Sequence, residues 1–198
     1  MEVTNILAIA GGTGVSLTLP VILTATSSST FGGAAIDFIW IIRRSSNVQW
    51  IFTGLEELKR RSRTMQHLNF NIHIFVTQKY DTKATTESQT RSEEKAVDIR
   101  IEPLTEAGSL SSSLDKRLDN VNSKVTYLNS HHPTLQDVVS NFIETRANFD
   151  YRTRVIASGP AGMGQDLKAA VARMNDGGKV WEGERRWDVD LHWDDRMC

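Results

Sequence analysis

The sequence predicts an α/β fold, a mostly parallel sheet with helices on both faces. Three observations predict it. Short apolar runs of strand length recur along the chain, bounded by polar or glycine-rich turns. Between them lie stretches whose apolar residues repeat at three- and four-residue spacing, the period of a helix with one buried face. Two strand-to-helix junctions are glycine-rich, one from Ala10 to Ser16 and one from Ser158 to Met163. The length, 198 residues, suits a single domain with a sizeable core.

The elements follow in order. Asn5–Gly11 (NILAIAG) reads as a buried strand closed by glycine. A helix is expected from near Ser16 or Thr18, with Pro20 in its first turn, running into the serine-rich Ser27–Thr30. Ile36–Ile42 (IDFIWII) is a second buried strand. Val48, Ile51, Phe52, Leu55 and Leu58 then form the apolar face of a helix. Its polar face sets Glu56 and Glu57 four residues before Arg60 and Arg61, the favourable order for helical ion pairs, and places Lys59-Arg60-Arg61 in solvent. Asn71–Thr77 is a third strand.

From Gln78 to about Asn122 the chain is rich in Lys, Asp, Thr, Ser and Glu and reads as a solvated, flexible insertion, with Val97–Ile101 as an edge strand. Lys124–Leu128 is a short strand. A helix follows with Leu135, Val138, Val139, Phe142 and Ile143 inward, opened by Thr134 and Asp137 in the spacing of a capping box. Thr153–Ala157 is a strand, the next helix buries Leu167, Ala170, Val171 and Met174, and Asp188–His192 closes the sheet.

Composition narrows the function classes. Net charge is −1, so no basic surface advertises nucleic acid or an anionic membrane. The single cysteine, Cys198, excludes an internal disulfide and a cysteine-based zinc site. The uncharged run from Ile6 to Ala25 approaches the about 20 residues of a membrane span, yet Gly11, Gly12, Gly14 and Pro20 interrupt it. It reads as strand, turn and helix, with no direct membrane insertion.

The glycine junctions carry the chemistry. Gly11, Gly12, Thr13, Gly14, Val15 and Ser16 join strand to helix, where glycines allow close backbone approach and helix N–H groups favour an anion. No Gly-Lys-Ser/Thr follows, so this is no P-loop, and Leu17 breaks the G-x-G-x-x-G spacing. A plain glycine-rich turn fits the same residues. Ser158, Gly159, Pro160, Gly162 and Met163 form the second junction. If the two strands are neighbours where strand order reverses, both loops face one crevice. Arg43, Arg44 and Ser45 follow the second strand, where an acidic residue would suit a free ribose 2′-hydroxyl and arginine suits a 2′-phosphate. This tilts the expectation to NADPH over NADH, although in isolation these residues read more readily as a solvated basic strand end. His131-His132 lacks a carboxylate or cysteine spaced to complete a metal site and reads as a surface loop. His73 reads as structural, and no G-x-S-x-G supports a hydrolase.

Taken together and in order, AGGTGVSLTLP, FIWIIRRSSNVQW, HHPTLQDVV and VIASGPAGMGQDLKAAV resemble the NAD-binding domain of ferric reductases and NADPH oxidases, within the wider ferredoxin–NADP reductase group, and most of all that of fungal ferric reductases. The resemblance covers nearly the whole chain except about residues 78–122. It implies a Rossmann-like sheet of five parallel strands in a single NAD(P)-binding domain over residues 1–198. It implies Gly12, Thr13, Gly14 and Val15 at the pyrophosphate and nicotinamide side. Arg43, Arg44 and Ser45 would stand at the 2′-phosphate, and Ser158, Gly159, Pro160 and Met163 beside the nicotinamide. In such enzymes NADPH reduces FAD, and electrons pass through membrane haems to iron or oxygen. FAD and haem would belong to partner flavin and transmembrane domains of a parent at the cytoplasmic face of a membrane; this chain, soluble by itself, contains neither domain.

The chain departs from that pattern at three places. Ser158 stands where many relatives have the cysteine near the reacting carbon. His132 stands where many have an arginine that contacts phosphate. The end, Trp193 to Cys198, lacks the terminal aromatic that covers the flavin. Two other readings compete: a nucleotide-binding module without turnover, truncated or vestigial, and an unrelated α/β enzyme such as a methyltransferase. Arg43-Arg44 and the second glycine loop argue against the latter.

Overall fold

The computed structural model describes residues 3–27, 33–64, 69–77, 123–128 and 132–194. The strands are β1 (Asn5–Gly11), β2 (Ala35–Ile42), β3 (Asn69–Val76), β4 (Ser123–Tyr127), β5 (Thr153–Ser158) and β6 (Val189–Asp194). The helices are α1 (Val15–Ala25), α2 (Phe52–Thr64), α3 (Leu135–Asn141), α4 (Ala161–Met174) and the short α5 (Gly177–Trp181). One π-helical turn, Phe142–Arg146, continues α3.

All six strands are parallel, in the order β4-β3-β2-β1-β5-β6. The α/β, Rossmann-like class expected from the sequence is what forms, and β6 extends the five strands of the resemblance by one edge strand. From β1 the chain steps outward through β2, β3 and β4, then returns to lay β5 and β6 on the other side. Strand order therefore reverses between β1 and β5, whose register pairs Asn5 with Thr153 and Ala10 with Ser158.

Alternation along the central strands builds two cores, because successive side chains point to opposite faces. Ile6, Ala8 and Ala10 of β1 join Phe38 and Trp40 of β2 under Ile22 of α1 and Leu55 and Leu58 of α2. Leu7 and Ile9 join Ile39 and Ile41 under Leu135 and Val139 of α3 and Leu167, Ala170 and Val171 of α4. Burial on both faces explains why β1 and β2 read as continuous apolar runs. At the foot of the sheet the buried Asn5 amide makes four bonds. Its Nδ2 donates to the carbonyls of Asn148 and Tyr151, both at 2.8 Å, and its Oδ1 accepts from the N–H groups of Ala35 and Asn148.

Several local expectations are corrected. The 3-10 turn Gly12–Gly14 winds the chain straight into α1, so the helix starts at Val15 and Pro20 lies inside it, beyond the first turn. Ser45–Ile51 is also 3-10 helix, whose face repeats every three residues. Val48 and Ile51 stay inward, while Phe52 is left exposed. Lys59 is buried and its Nζ reaches Glu56 at 3.1 Å, so Glu56 pairs at three residues' spacing with Lys59 in place of Arg60. Glu57 takes both Arg60 (2.7 Å) and Arg61 (2.6 Å). Arg61 also donates to the Leu23 carbonyl, supporting the end of α1. Thr134 caps α3 without a side-chain bond, so the capping box does not close. The insertion at about 78–122, the strand at Val97–Ile101, Ser28–Thr30 and His131 lie outside the described residues.

Candidate functional site

Parallel strands all deliver their following loops to one end of the sheet, and at the reversal between β1 and β5 two of these loops meet. They touch. A Cβ built on Gly11 would stand 2.9 Å from Pro160 Cδ and 3.1 Å from Met163 Sδ. One on Gly159 would stand 3.1 Å from the Gly11 Cα. One on Gly14 would come within 2.5 Å of the Ser158 carbonyl carbon. These three glycines exist for close approach. Gly12 differs: it has a φ of 55°, the left-handed region, and a Cβ there would meet nothing within 4 Å.

Beneath the turn, the fully buried Trp40 indole Nε1–H donates to the Gly12 carbonyl at 2.9 Å. This bond orients the loop from inside the core. No side chain caps the start of α1, and no acidic residue lies in its first turn. The Val15 N–H is taken by the Thr13 carbonyl, so the exposed backbone at this junction is that of Gly12 and Thr13 in the turn before the helix.

A cleft of about 870 Å³ opens beside these loops, within the range of about 300–1,000 Å³ common for ligand sites. Gly11, Gly12, Thr13, Pro160 and Met163 line one end. The ends of β2 and β3 contribute Ile41, Ile42, Arg43 and Thr77, and the approach to α3 contributes His132 through Gln136. Asp166, Ala169, Ala170 and Arg173 of α4 form a wall. With Met163 and Arg173 ten residues apart on one helix, that wall runs about 15 Å. Its charged groups are Arg43, Arg173 and Asp166, so the cleft leans cationic on a chain whose net charge is −1.

Of the residues singled out from sequence, Gly11, Gly12, Thr13, Arg43, His132, Pro160 and Met163 line this cleft. Gly14 and Val15 are buried under the turn, and Ser16 is exposed outside the cleft lining. Arg44 and Ser45 follow Arg43 without lining the cleft, and Gly162 is exposed on α4. Ser158 and Gly159 are buried, and the Ser158 Oγ has no hydrogen-bond partner. Ser158 as placed forms part of the β1–β5 seam and does not reach the cleft.

Sequence reasoning missed Asn47, Trp50, Thr77, Gln136, Asp166 and Arg173, all of which line it. Gln136 is informative: its Oε1 is buried without a partner beside a cleft, an acceptor awaiting an N–H or O–H donor. The signal for Trp50 was a tryptophan on the polar side of the Val48–Ile51 pattern.

A deeper titratable group lies away from this end. Asp37, near the start of β2, is buried, and burial pushes its carboxyl up to about 6. The Arg146 guanidinium, 3.4 Å away, holds it back from rising further. Asp37 does not line the cleft.

Residues 3–172 match the family model for the ferric reductase NAD-binding domain. No curated protein matches the chain at a significant level. Among the described residues, no helix is long and apolar enough to cross a membrane.

Proposed function

The chain belongs to the ferric reductase NAD-binding domain family, and we propose that it is the NADPH-binding module of a flavin-dependent oxidoreductase of that type. One observation carries the reading. The β1 and β5 loops meet at the strand-order reversal, beside a cleft that Arg43, at the end of the neighbouring β2, also lines. The residues fit a dinucleotide. Gly12 and Thr13, exposed in the 3-10 turn before α1, offer backbone N–H groups to a pyrophosphate. The Gln136 Oε1 offers an acceptor to a ribose hydroxyl or a base amine. Arg43 offers a planar fork to a 2′-phosphate, and no acidic residue stands at that strand end to favour a free 2′-hydroxyl.

The bound dinucleotide supplies the hydride chemistry. This chain's residues hold and orient it. Trp40 fixes the Gly12 turn, and Pro160 and Met163 close the end of the cleft nearest the β1–β5 seam. Flavin and haem, in this proposal, reside on partner domains of a membrane-bound parent, with this module at the cytoplasmic face and the final acceptor iron or oxygen. Turnover by the 198-residue chain alone is not expected.

The test is calorimetric titration of the chain with NADPH and NADH, repeated on Arg43→Ala and Arg44→Ala. Binding of NADPH, weaker binding of NADH, and loss of that preference in Arg43→Ala are expected. One charge-assisted arginine–phosphate contact contributes about 1.5–3 kcal/mol, roughly tenfold or more in affinity. Arg44→Ala should change the preference much less. Absence of binding for both nucleotides would overturn the reading.

A further inference from the structure

Trp50 is the large side chain that the cleft leaves uncovered. It is 65% exposed, and of the exposed large apolar side chains among the described residues (Trp50, Phe52, Phe149 and Trp181) it is the one that lines the cleft. Its backbone is nonetheless fixed. Val48 and Ile51 on either side are buried in the β1–β2 core, so the 3-10 turn Ser45–Ile51 is pinned and Trp50 projects from a rigid support. Arg43 and Asn47, on the same short run after β2, line the same cleft.

We propose that Trp50 is a stacking platform for the adenine ring of the bound dinucleotide. The inference rests on the nucleotide reading above and adds the group that recognises the base. The end of β2 meets the adenosine ribose in this class of sheet, so a base next to Arg43 is adenine, with the nicotinamide directed to the Pro160–Met163 end. An indole gives a large, flat surface with only two side-chain torsions to order. Stacking accepts any purine, whereas the arginine reads phosphate, so Trp50 supplies affinity for the base and Arg43 supplies the choice between NADPH and NADH.

The experiment compares wild-type chain, Trp50→Ala and Trp50→Phe by titration with three probes: NADPH, 2′-phospho-ADP-ribose (the adenosine end without nicotinamide) and reduced nicotinamide mononucleotide (the other end). Trp50→Ala should weaken NADPH and 2′-phospho-ADP-ribose by about fivefold to a hundredfold and leave the mononucleotide unchanged. Trp50→Phe should recover most of the loss. Quenching of indole fluorescence by 2′-phospho-ADP-ribose should be present in wild type and largely lost in Trp50→Ala. Unchanged NADPH affinity in Trp50→Ala would overturn the stacking role while leaving the nucleotide site standing. Equal weakening of all three probes would overturn it too, because Trp50 would then only shape the cleft. Failure of the wild-type chain to bind any probe would remove the nucleotide reading itself and this inference with it.

Discussion

Gly12 and Gly14 lie two residues apart in one turn and should fail for different reasons when replaced by alanine. Gly14 has φ −56° and ψ −15°, ordinary right-handed backbone that alanine adopts freely. Its constraint is space: a Cβ would come within 2.5 Å of the Ser158 carbonyl carbon and stand 3.1 Å from the Gly159 nitrogen. Both obstacles are backbone, held by the β1–β5 ladder, so no side-chain rotation relieves the clash. Overpacking of this kind costs about 1–3 kcal/mol, and a backbone-on-backbone case belongs at the top of that range or beyond. Gly12 has the opposite problem. A Cβ there meets nothing, but φ 55° costs an alanine about 1–2 kcal/mol. Urea denaturation of both variants reads the difference as a lower midpoint at unchanged slope. For a chain of this size the Gly14→Ala melting temperature should fall by roughly 6–12 °C, and Gly12→Ala by roughly half of that or less. Gly14→Ala no less stable than Gly12→Ala would refute the close contact of the two loops.

Two further outcomes follow from buried groups. Trp40→Phe keeps most of the core volume but removes the Nε1–H that holds the Gly12 carbonyl at 2.9 Å. It should cost about 1 kcal/mol of stability and weaken NADPH binding while the melting transition stays cooperative, checked by titration beside thermal unfolding. Asp37 should make stability fall with rising pH. Its carboxyl is raised from 3.8 to about 6, so between those values the folded chain holds a proton that the unfolded chain releases. The stability is present in full below pH ~4 and is lost as pH rises through about 6, in total about 3 kcal/mol at about 1.4 kcal/mol for each tenfold change in proton affinity. Asp37→Asn should flatten that slope in urea titrations at pH 4 and pH 7, and an unchanged slope would assign it to other groups.

The central strands were legible because burial on both faces leaves a continuous apolar signature, seen in Leu7–Ala10 and Ile36–Ile42. The helices α3 and α4 were legible because Leu135, Val139, Leu167 and Val171 keep one face. Boundaries were less so. Where a 3-10 turn precedes a helix, as at Gly12–Gly14 and Ser45–Ile51, the repeat shortens and moves residues such as Phe52 off the expected face. Lys59 reads as a surface charge from spacing, yet its stem packs in the interior while its Nζ reaches Glu56 at 3.1 Å. The cleft was half legible. Residues at strand ends announce themselves through glycine or arginine. Asp166 and Arg173 do not, because their role depends on which way α4 faces once β5 lies beside β1.

That adjacency also divides the labour within the two glycine loops. If the loops stood apart, a ligand could pass between them and every residue of both motifs would be a candidate contact. They do not stand apart. Gly11, Gly14 and Gly159 are spent on bringing two backbones together, and Ser158 is sealed in the seam so formed. In the proposed function a dinucleotide lies across the top of the seam, touching Gly12 and Thr13 from outside, with Arg43 at the end of the neighbouring strand. The Ser158 hydroxyl makes no hydrogen bond, and a buried unpaired hydroxyl is a cost to the fold. Its carbonyl, against which Gly14 packs, matters more to the site's shape than its side chain. In the proposed function this chain's contribution is placement: a rigid seam, an oriented turn and a cleft lined by Arg43 and Arg173.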